Sequence, residues 1–282
     1  MDFRHLTSLT LVCPACNESG NIEPLLREWH ATFENLGTPF EMIVVDDGST
    51  DGTASEVRRM MEEFGSIRLL RHTARCGQSA ALATGIERAN GDVIVTCDAD
   101  LQNDPADLPR MLGLLPEADV VCGWRHRRKD TWKRRLVSGG ANRIMQRLFG
   151  HQLHDSGCGL RIFRRSVAER LLMIDGMHRF FALLALIEGF SIAEVPVNHR
   201  DRVQGVSKYG LFDRLFRTLR DLNGLLWYRS RRLERGFSKV VEEEMARDAV
   251  ASAPVRNADV WPASIPFRPT DESGNAVRRK SA

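Results

Sequence analysis

A β-branched run, Val93-Ile94-Val95-Thr96, breaks off at Cys97 and passes into Asp98-Ala99-Asp100-Leu101-Gln102, with Pro105 closing the loop. Carboxylates one residue apart, just past the carboxyl end of a strand, stand where open α/β sheets take their ligands. Such a pair can hold a hard divalent cation through oxygen, and that cation can clamp a diphosphate. The same tripeptide also arises in ordinary surface turns, so its weight comes from its neighbours.

Those neighbours are carried by alternating strands and helices. Leu9 to Cys13 reads as a first buried strand terminated by Pro14, followed by a loop at Asn17-Glu18-Ser19-Gly20-Asn21. A helix from about Ile22 to Leu36 tolerates Pro24 in its first turn. Phe40 to Val45 is a second strand, ending in Asp46-Asp47-Gly48-Ser49-Thr50-Asp51-Gly52-Thr53, a loop dense in turn and N-cap residues. A helix to about Phe64, a strand over Ile67 to Leu70 and a helix opened by Gly77 lead to the strand before Asp98. Beyond it the pattern predicts a helix (Pro105 to Leu115), a strand (Asp119 to Cys122) and a basic helix (about Trp132 to Phe149). Then come a strand near Leu160 to Phe163, two helices, a strand over Ser191 to Val197 and a long helix from about Leu211 to Leu233. This alternation implies parallel βαβ units.

The 282 residues suffice for one large α/β domain or two small ones. Apolar residues make up 43% and charged residues 27%, ordinary for a soluble globular chain. The net charge of +3 names no partner and gives no reason to expect nucleic acid, although Arg and Lys crowd into 125–147 and 200–235. No apolar stretch reaches the roughly 18 residues of a spanning helix, and Met1-Asp2-Phe3-Arg4-His5 lacks the features of a signal peptide. A cytoplasmic location is the default expectation. Cys13-Pro14-Ala15-Cys16 has no second ligand pair to complete a zinc site and does not open a helix as a redox pair should. Reduced structural thiols are the expectation there.

Asn17-Glu18, Asp46-Asp47, and Asp98 with Asp100 each follow a strand, so a parallel sheet would turn all of them to one crevice. Asp46, Asp47 and Asp51 could equally cap a helix. Neither a Gly-x-Gly-x-x-Gly after the first strand nor a Gly-x-x-x-x-Gly-Lys-Ser/Thr is present, which disfavours nicotinamide and P-loop chemistry. Carboxylates and a metal in place of a glycine cradle point to nucleotide-sugar chemistry.

Six motifs occur in one order: Pro14-Ala15-Cys16-Asn17-Glu18, Val44 to Thr53, Gly77-Gln78-Ser79-Ala80-Ala81, Asp98 to Gln102, Ser138-Gly139-Gly140-Ala141-Asn142 and Gly205-Val206-Ser207-Lys208-Tyr209. Over roughly Leu9 to Trp227 the chain resembles the inverting family 2 glycosyltransferases, and within them the polyprenyl-phosphate sugar transferases. The resemblance implies a GT-A fold: an α/β, Rossmann-like, mostly parallel central sheet with flanking helices. It implies that Pro14, Asn17, Glu18, Asp46, Asp47 and Gln78 belong to the donor site, with Glu18, Asp46 and Asp47 facing base and ribose. Asp98, Asp100 and Gln102 match the positions that bind Mg2+ or Mn2+. Arg125, Arg134 and Ser138 match those that receive the acceptor phosphate, and Arg202 and Lys208 the loop closing over the donor diphosphate. Two departures stand out: Cys16 replaces the usual aromatic, and Arg75 the usual asparagine.

A nucleotide-diphosphate sugar donor and a polyprenyl phosphate acceptor are thus the expected partners. A phosphate monoester is largely ionised at pH 7, so as the attacker it needs cations to hold it and no general base. A hydroxyl acceptor would need a base, for which Asp155 is the candidate. The domains expected are 1–208 (transferase), 209–236 (amphipathic basic helix) and 237–282 (disordered tail). Leu211, Phe212, Leu215, Phe216, Leu219, Leu222, Leu225 and Leu226 recur at helical spacing beside dense arginine. That stripe suits core packing in its first half and an anionic membrane surface in its second.

Overall fold

The structure, a computed structural model, describes residues 8–125, 153–200 and 211–231, with side chains in the last segment from residue 220. The expected basic helix at 132–149, Arg134, Ser138, Arg202 and Lys208 lie outside the described residues. The chain partitions into a compact unit, Met1–Leu226, and a second, Trp227–Ala282. The site described below lies in the first.

The strands are β1 (Leu9–Ala15), β2 (Phe40–Asp46), β3 (Ile67–Arg71), β4 (Val93–Thr96), β5 (Val120–Arg125), β6 (Arg161–Arg164) and β7 (Ile192–Val197). They form a seven-stranded sheet in the order β3-β2-β1-β4-β6-β5-β7. Every residue of β1 and β4 is buried, as continuous apolar strands covered on both faces must be. Helices α1 (Ile22–Leu36), α2 (Thr53–Glu63), α3 (Gln78–Glu87), α4 (Leu108–Leu112), α5 (Arg165–Ala168), α6 (Met177–Ile187) and α7 (Leu211–Arg231) complete the described elements. In α1 the apolar stripe Ile22, Leu25, Leu26, Trp29 and Phe33 is buried, and the helix ends at Gly37, whose φ is +66°. A left-handed residue there suits glycine.

All neighbouring pairs are parallel except those of β6, which runs antiparallel to both β4 and β5. That inversion matters for the site. Arg161 opens β6 opposite Thr96 and Cys122, so the loop entering β6 arrives at the same edge where β1, β2, β4, β5 and β7 end.

Three boundaries differ from the sequence reading. Pro14 lies inside β1. Val12 carbonyl accepts from Cys97 N–H on the β4 side, and β4 ends at Thr96, so the alternate residue Pro14 has no ladder partner to disappoint. The expected helix over Pro105 to Leu115 is a 3-10 turn (Pro105–Asp107) followed by the single turn of α4, with Pro109 early and Gly113 at its end. Strand β5 runs on to Arg125 because β7 pairs along its whole length.

The turn before β4 is close-packed against β1. Gly91 N–H donates to Thr10 Oγ1 at 2.7 Å, and a Cβ there would lie 2.5 Å from Leu9 C and 2.6 Å from Thr10 N. Backbone cannot yield as a side-chain tip does. Gly91→Ala is therefore expected to destabilise the fold by about 2–3 kcal/mol in urea unfolding; an unchanged midpoint would contradict this packing.

In α7, Leu222 and Leu225 are buried and Asp221 accepts from Arg179 at 2.8 Å, whereas Trp227 is 66% exposed. Among the described residues no helix is long and apolar enough to cross a membrane.

Candidate active site

The site is assembled at the strand ends. Past β4, Leu101 adopts φ +63°, a left-handed conformation unusual for a branched side chain. The resulting turn lets Gln102 N–H donate to Asp100 Oδ1 at 3.3 Å and Asn103 Oδ1 accept from Asp98 N–H at 2.8 Å. The end of β7 holds the loop from the other side. Arg200 N–H donates to Gln102 carbonyl at 3.1 Å, Gln102 Nε2 donates to Arg200 carbonyl at 3.3 Å, and Asn103 bridges His199. Asn103 had no signal in the sequence beyond its place after the acids; its role is to fix the backbone that aims them.

Asp98 receives Gln78 Nε2 on Oδ1 at 2.9 Å, which brings two expected site residues together. It sits against Gly159: a Cβ there would fall 2.5 Å from Asp98 Cγ and 2.7 Å from Oδ1. Gly159 thus leaves the hollow in which the carboxylate lies, a role that only the tertiary structure reveals.

The acids after β2 have local duties. Asp46, fully buried, accepts from Ser49 N–H and Arg71 Nε, each at 2.9 Å. Burial pushes its carboxyl up, but Ser49 and Arg71 outweigh this and hold it below the usual range. Asp47 accepts from Cys76 and Gly77 N–H, each at 2.7 Å, and meets His72 Nδ1 at 2.7 Å. It therefore ties β2 to the turn that presents Gln78. Asn17, at φ +57°, gives its N–H to Ser49 Oγ and takes that of Thr50; Glu18 N–H donates to Thr53 Oγ1. Pro14, Asn17, Glu18, Asp46 and Asp47 thereby share one edge with Asp98 and Asp100, as the parallel order requires.

Asp47, His72 and Cys76 lie close enough to offer ligands to one metal. Their chemistry argues for a clamp instead. Both His72 nitrogens are engaged, Nε2 with Thr84 Oγ1 at 3.0 Å, and burial and then Asp47 push the Cys76 thiol up, away from the ligating thiolate. The oxygen set of Asp98, Asp100 and the Gln102 amide suits a hard divalent ion, and the Gly159 hollow gives the first of these room to serve. The six cysteines are free thiols.

At the end of β5, Arg125 grips Asp155 through Nε (2.6 Å) and Nη2 (2.8 Å). Beside it Arg161 is buried and donates to His178 carbonyl at 2.6 Å. His178 Nδ1 meets Ser79 Oγ at 2.7 Å, and that oxygen also accepts Gly176 N–H at 3.0 Å. Burial, then Arg179 and Arg161, bring His178 down to about 4, with Asp175 opposing. A histidine lowered in the fold binds fewer protons there than when unfolded, so its stability contribution is complete above about 6.5 and is lost as pH falls toward 4. The expected loss is on the order of 3 kcal/mol over that window. His178→Gln should flatten the slope in urea unfolding, and an unaltered slope would refute the assignment.

The mostly parallel sheet with acids at its carboxyl edge is the GT-A fold of nucleotide-sugar transferases. Crystal structures of Mycobacterium tuberculosis glucosyl-3-phosphoglycerate synthase superpose with a TM-score of 0.59 over 80% of each chain at 21% identity; one of them contains Mn2+, UDP-glucose and glycerol 3-phosphate. The glycosyl transferase family 2 profile matches residues 10–172, and the chain belongs to that family. Among curated relatives, dodecaprenyl-phosphate galacturonate synthase from Rhizobium johnstonii is 38% identical over 226 residues, 78% of this chain and 67% of the relative. Undecaprenyl-phosphate 4-deoxy-4-formamido-L-arabinose transferase from Edwardsiella ictaluri is 35% identical over 212 residues, 74% and 65% respectively. The chain thus spans about two thirds of the length of these relatives.

Proposed function

We propose that the protein transfers one sugar, with inversion, from a nucleotide-diphosphate sugar to a polyprenyl phosphate at the cytoplasmic face of an anionic membrane. The observation that carries this reading is the built oxygen site after β4, Asp98 in the Gly159 hollow with Asp100 and Gln102 beyond. The names of the two polyprenyl-phosphate relatives supply the acceptor class. Asp98, Asp100 and the Gln102 amide oxygen would hold Mg2+ or Mn2+, which when bound supplies positive charge to the leaving diphosphate. Arg202 and Lys208 would add cations from the facing loop. Pro14, Asn17, Glu18, Asp46, Asp47 and Gln78 would shape the nucleotide end, and Arg125, Arg134 and Ser138 would orient the acceptor phosphate. Exposed Trp227, with Arg229 and Arg231 on the same helix, suits contact with the headgroup region.

The Arg125–Asp155 pair favours a phosphate over a hydroxyl acceptor. A carboxylate gripped at two points by a guanidinium is a poor proton acceptor, and a phosphate attacker needs none. Asp155→Asn should slow transfer roughly tenfold through Arg125 misplacement and leave the shape of the pH–rate profile unaltered. Disappearance of an acidic limb would mark Asp155 as a base and favour the hydroxyl reading. The proposal itself is tested by offering a panel of nucleotide sugars with a short polyprenyl phosphate, with and without Mn2+ or Mg2+. Metal-dependent formation of a lipid-linked sugar is expected; transfer only to saccharide hydroxyls would overturn the acceptor.

A further inference from the structure

Resting on the nucleotide-sugar reading above, we propose that the sugar this chain transfers is acidic, its ring carboxylate seated in the small cavity beside Asp98. That cavity is about 100 Å3, room for one substituent and not for a whole pyranose, and its lining includes Gln78, Asp98, Gly159, Arg161, His178 and Arg179.

Two guanidinium groups and an imidazole line it. Arg161 is 2% exposed, and among the described residues it has backbone carbonyl partners, His178 and Ser156, and no carboxylate. A buried guanidinium without a counter-ion is costly, and an anionic ligand removes that cost. Arg179 bonds Asp221 through Nη2, yet its buried Nε has no hydrogen-bond partner. His178 also lines the cavity; its Nδ1 is engaged by Ser79 Oγ, so Nε2 is the ring nitrogen that can turn to a ligand. Asp98 is the one acid in the lining, and Gln78 already engages it.

An acceptor phosphate has the same chemistry, but the lining is polar apart from Leu82 and Cys97 and offers nothing for a prenyl chain to follow. On the nucleotide-sugar reading Asp98 helps to hold the diphosphate, which brings the sugar joined to it within reach of this cavity. The carboxylate takes no part in bond exchange; it selects and orients the donor.

The test is titration calorimetry of the full chain with Mn2+ and no acceptor. UDP-galacturonate and UDP-glucuronate are compared with UDP-galactose and UDP-glucose. The uronates should bind roughly tenfold tighter or more. Arg179→Gln and Arg161→Gln should erase the preference while affinity for UDP stays the same. Because buried Arg161 also supports the fold, Arg179→Gln alone decides, with circular dichroism to confirm folding. Equal binding of charged and neutral sugars, or a preference that survives Arg179→Gln, overturns the inference. So does an Arg179→Gln defect confined to the KM for polyprenyl phosphate, which would give the cavity to the acceptor. A chain that prefers uronates but does not glycosylate polyprenyl phosphate keeps this inference and loses the acceptor reading; one that lipid-links only neutral sugars does the reverse.

Discussion

Asp100→Ala should lower transfer at saturating Mn2+ by about 10²–10³-fold, the scale on which transition-state charge stabilisation is lost. Asp100 is 8% exposed and sits in the turn that Leu101 makes at φ +63°, its Oδ1 accepting from Gln102 N–H. That turn is held independently by Asn103 on Asp98 N–H and by the Arg200–Gln102 backbone bond. The loop should therefore survive the substitution, as circular dichroism and an unfolding midpoint would show. Asp100→Asn separates charge from shape: the amide oxygen can still accept from Gln102, but the formal negative charge is gone. Similar loss in both variants supports a ligand role, whereas near-normal activity in Asp100→Asn would make this carboxylate structural.

Gly159→Ala is the second large effect, and it reverses the balance seen at Gly91. The added Cβ meets the tip of the Asp98 side chain, which can swing away by rotating. Thr96 Oγ1 still donates to the Gly159 carbonyl at 2.8 Å, so the approach to β6 is kept. Stability should change by less than about 1 kcal/mol, while activity falls by about a hundredfold or more because a displaced ligand loses its alignment. A fall in stability matched by intact turnover in the folded fraction would show that Asp98 does not need this hollow. Gly91→Ala should do the opposite, because the atoms it meets are backbone.

The contrast shows what the chain makes legible. Continuous apolar runs ending in Asp46-Asp47 and Asp98-Ala99-Asp100 announce buried parallel strands with acids at one edge, and the structure has them there. Periodicity carries no direction, however. Arg161–Arg164 is a short run between arginines, and nothing in it says that it enters antiparallel between β4 and β5. The same limit hides the partners that decide chemistry. Arg125 and Asp155 are 30 residues apart, and Ser79 and His178 are 99 apart; each pair exists only because the sheet order brings its loops together. Asp47 looked like a nucleotide contact or a cap, and in the fold its carboxylate fastens the turn before Gln78. Pro14 misled for a simpler reason: a proline ends a strand only where a neighbour needs its missing N–H.

The most direct measurement is a crystal of the full chain grown with Mn2+ and a nucleoside diphosphate, with data collected at the manganese edge. One anomalous peak is expected, bonded to carboxylate oxygens of Asp98 or Asp100, or both, and to diphosphate oxygen. A peak among Asp47, His72 and Cys76, or a diphosphate bound with no ion near the residues after β4, would contradict it.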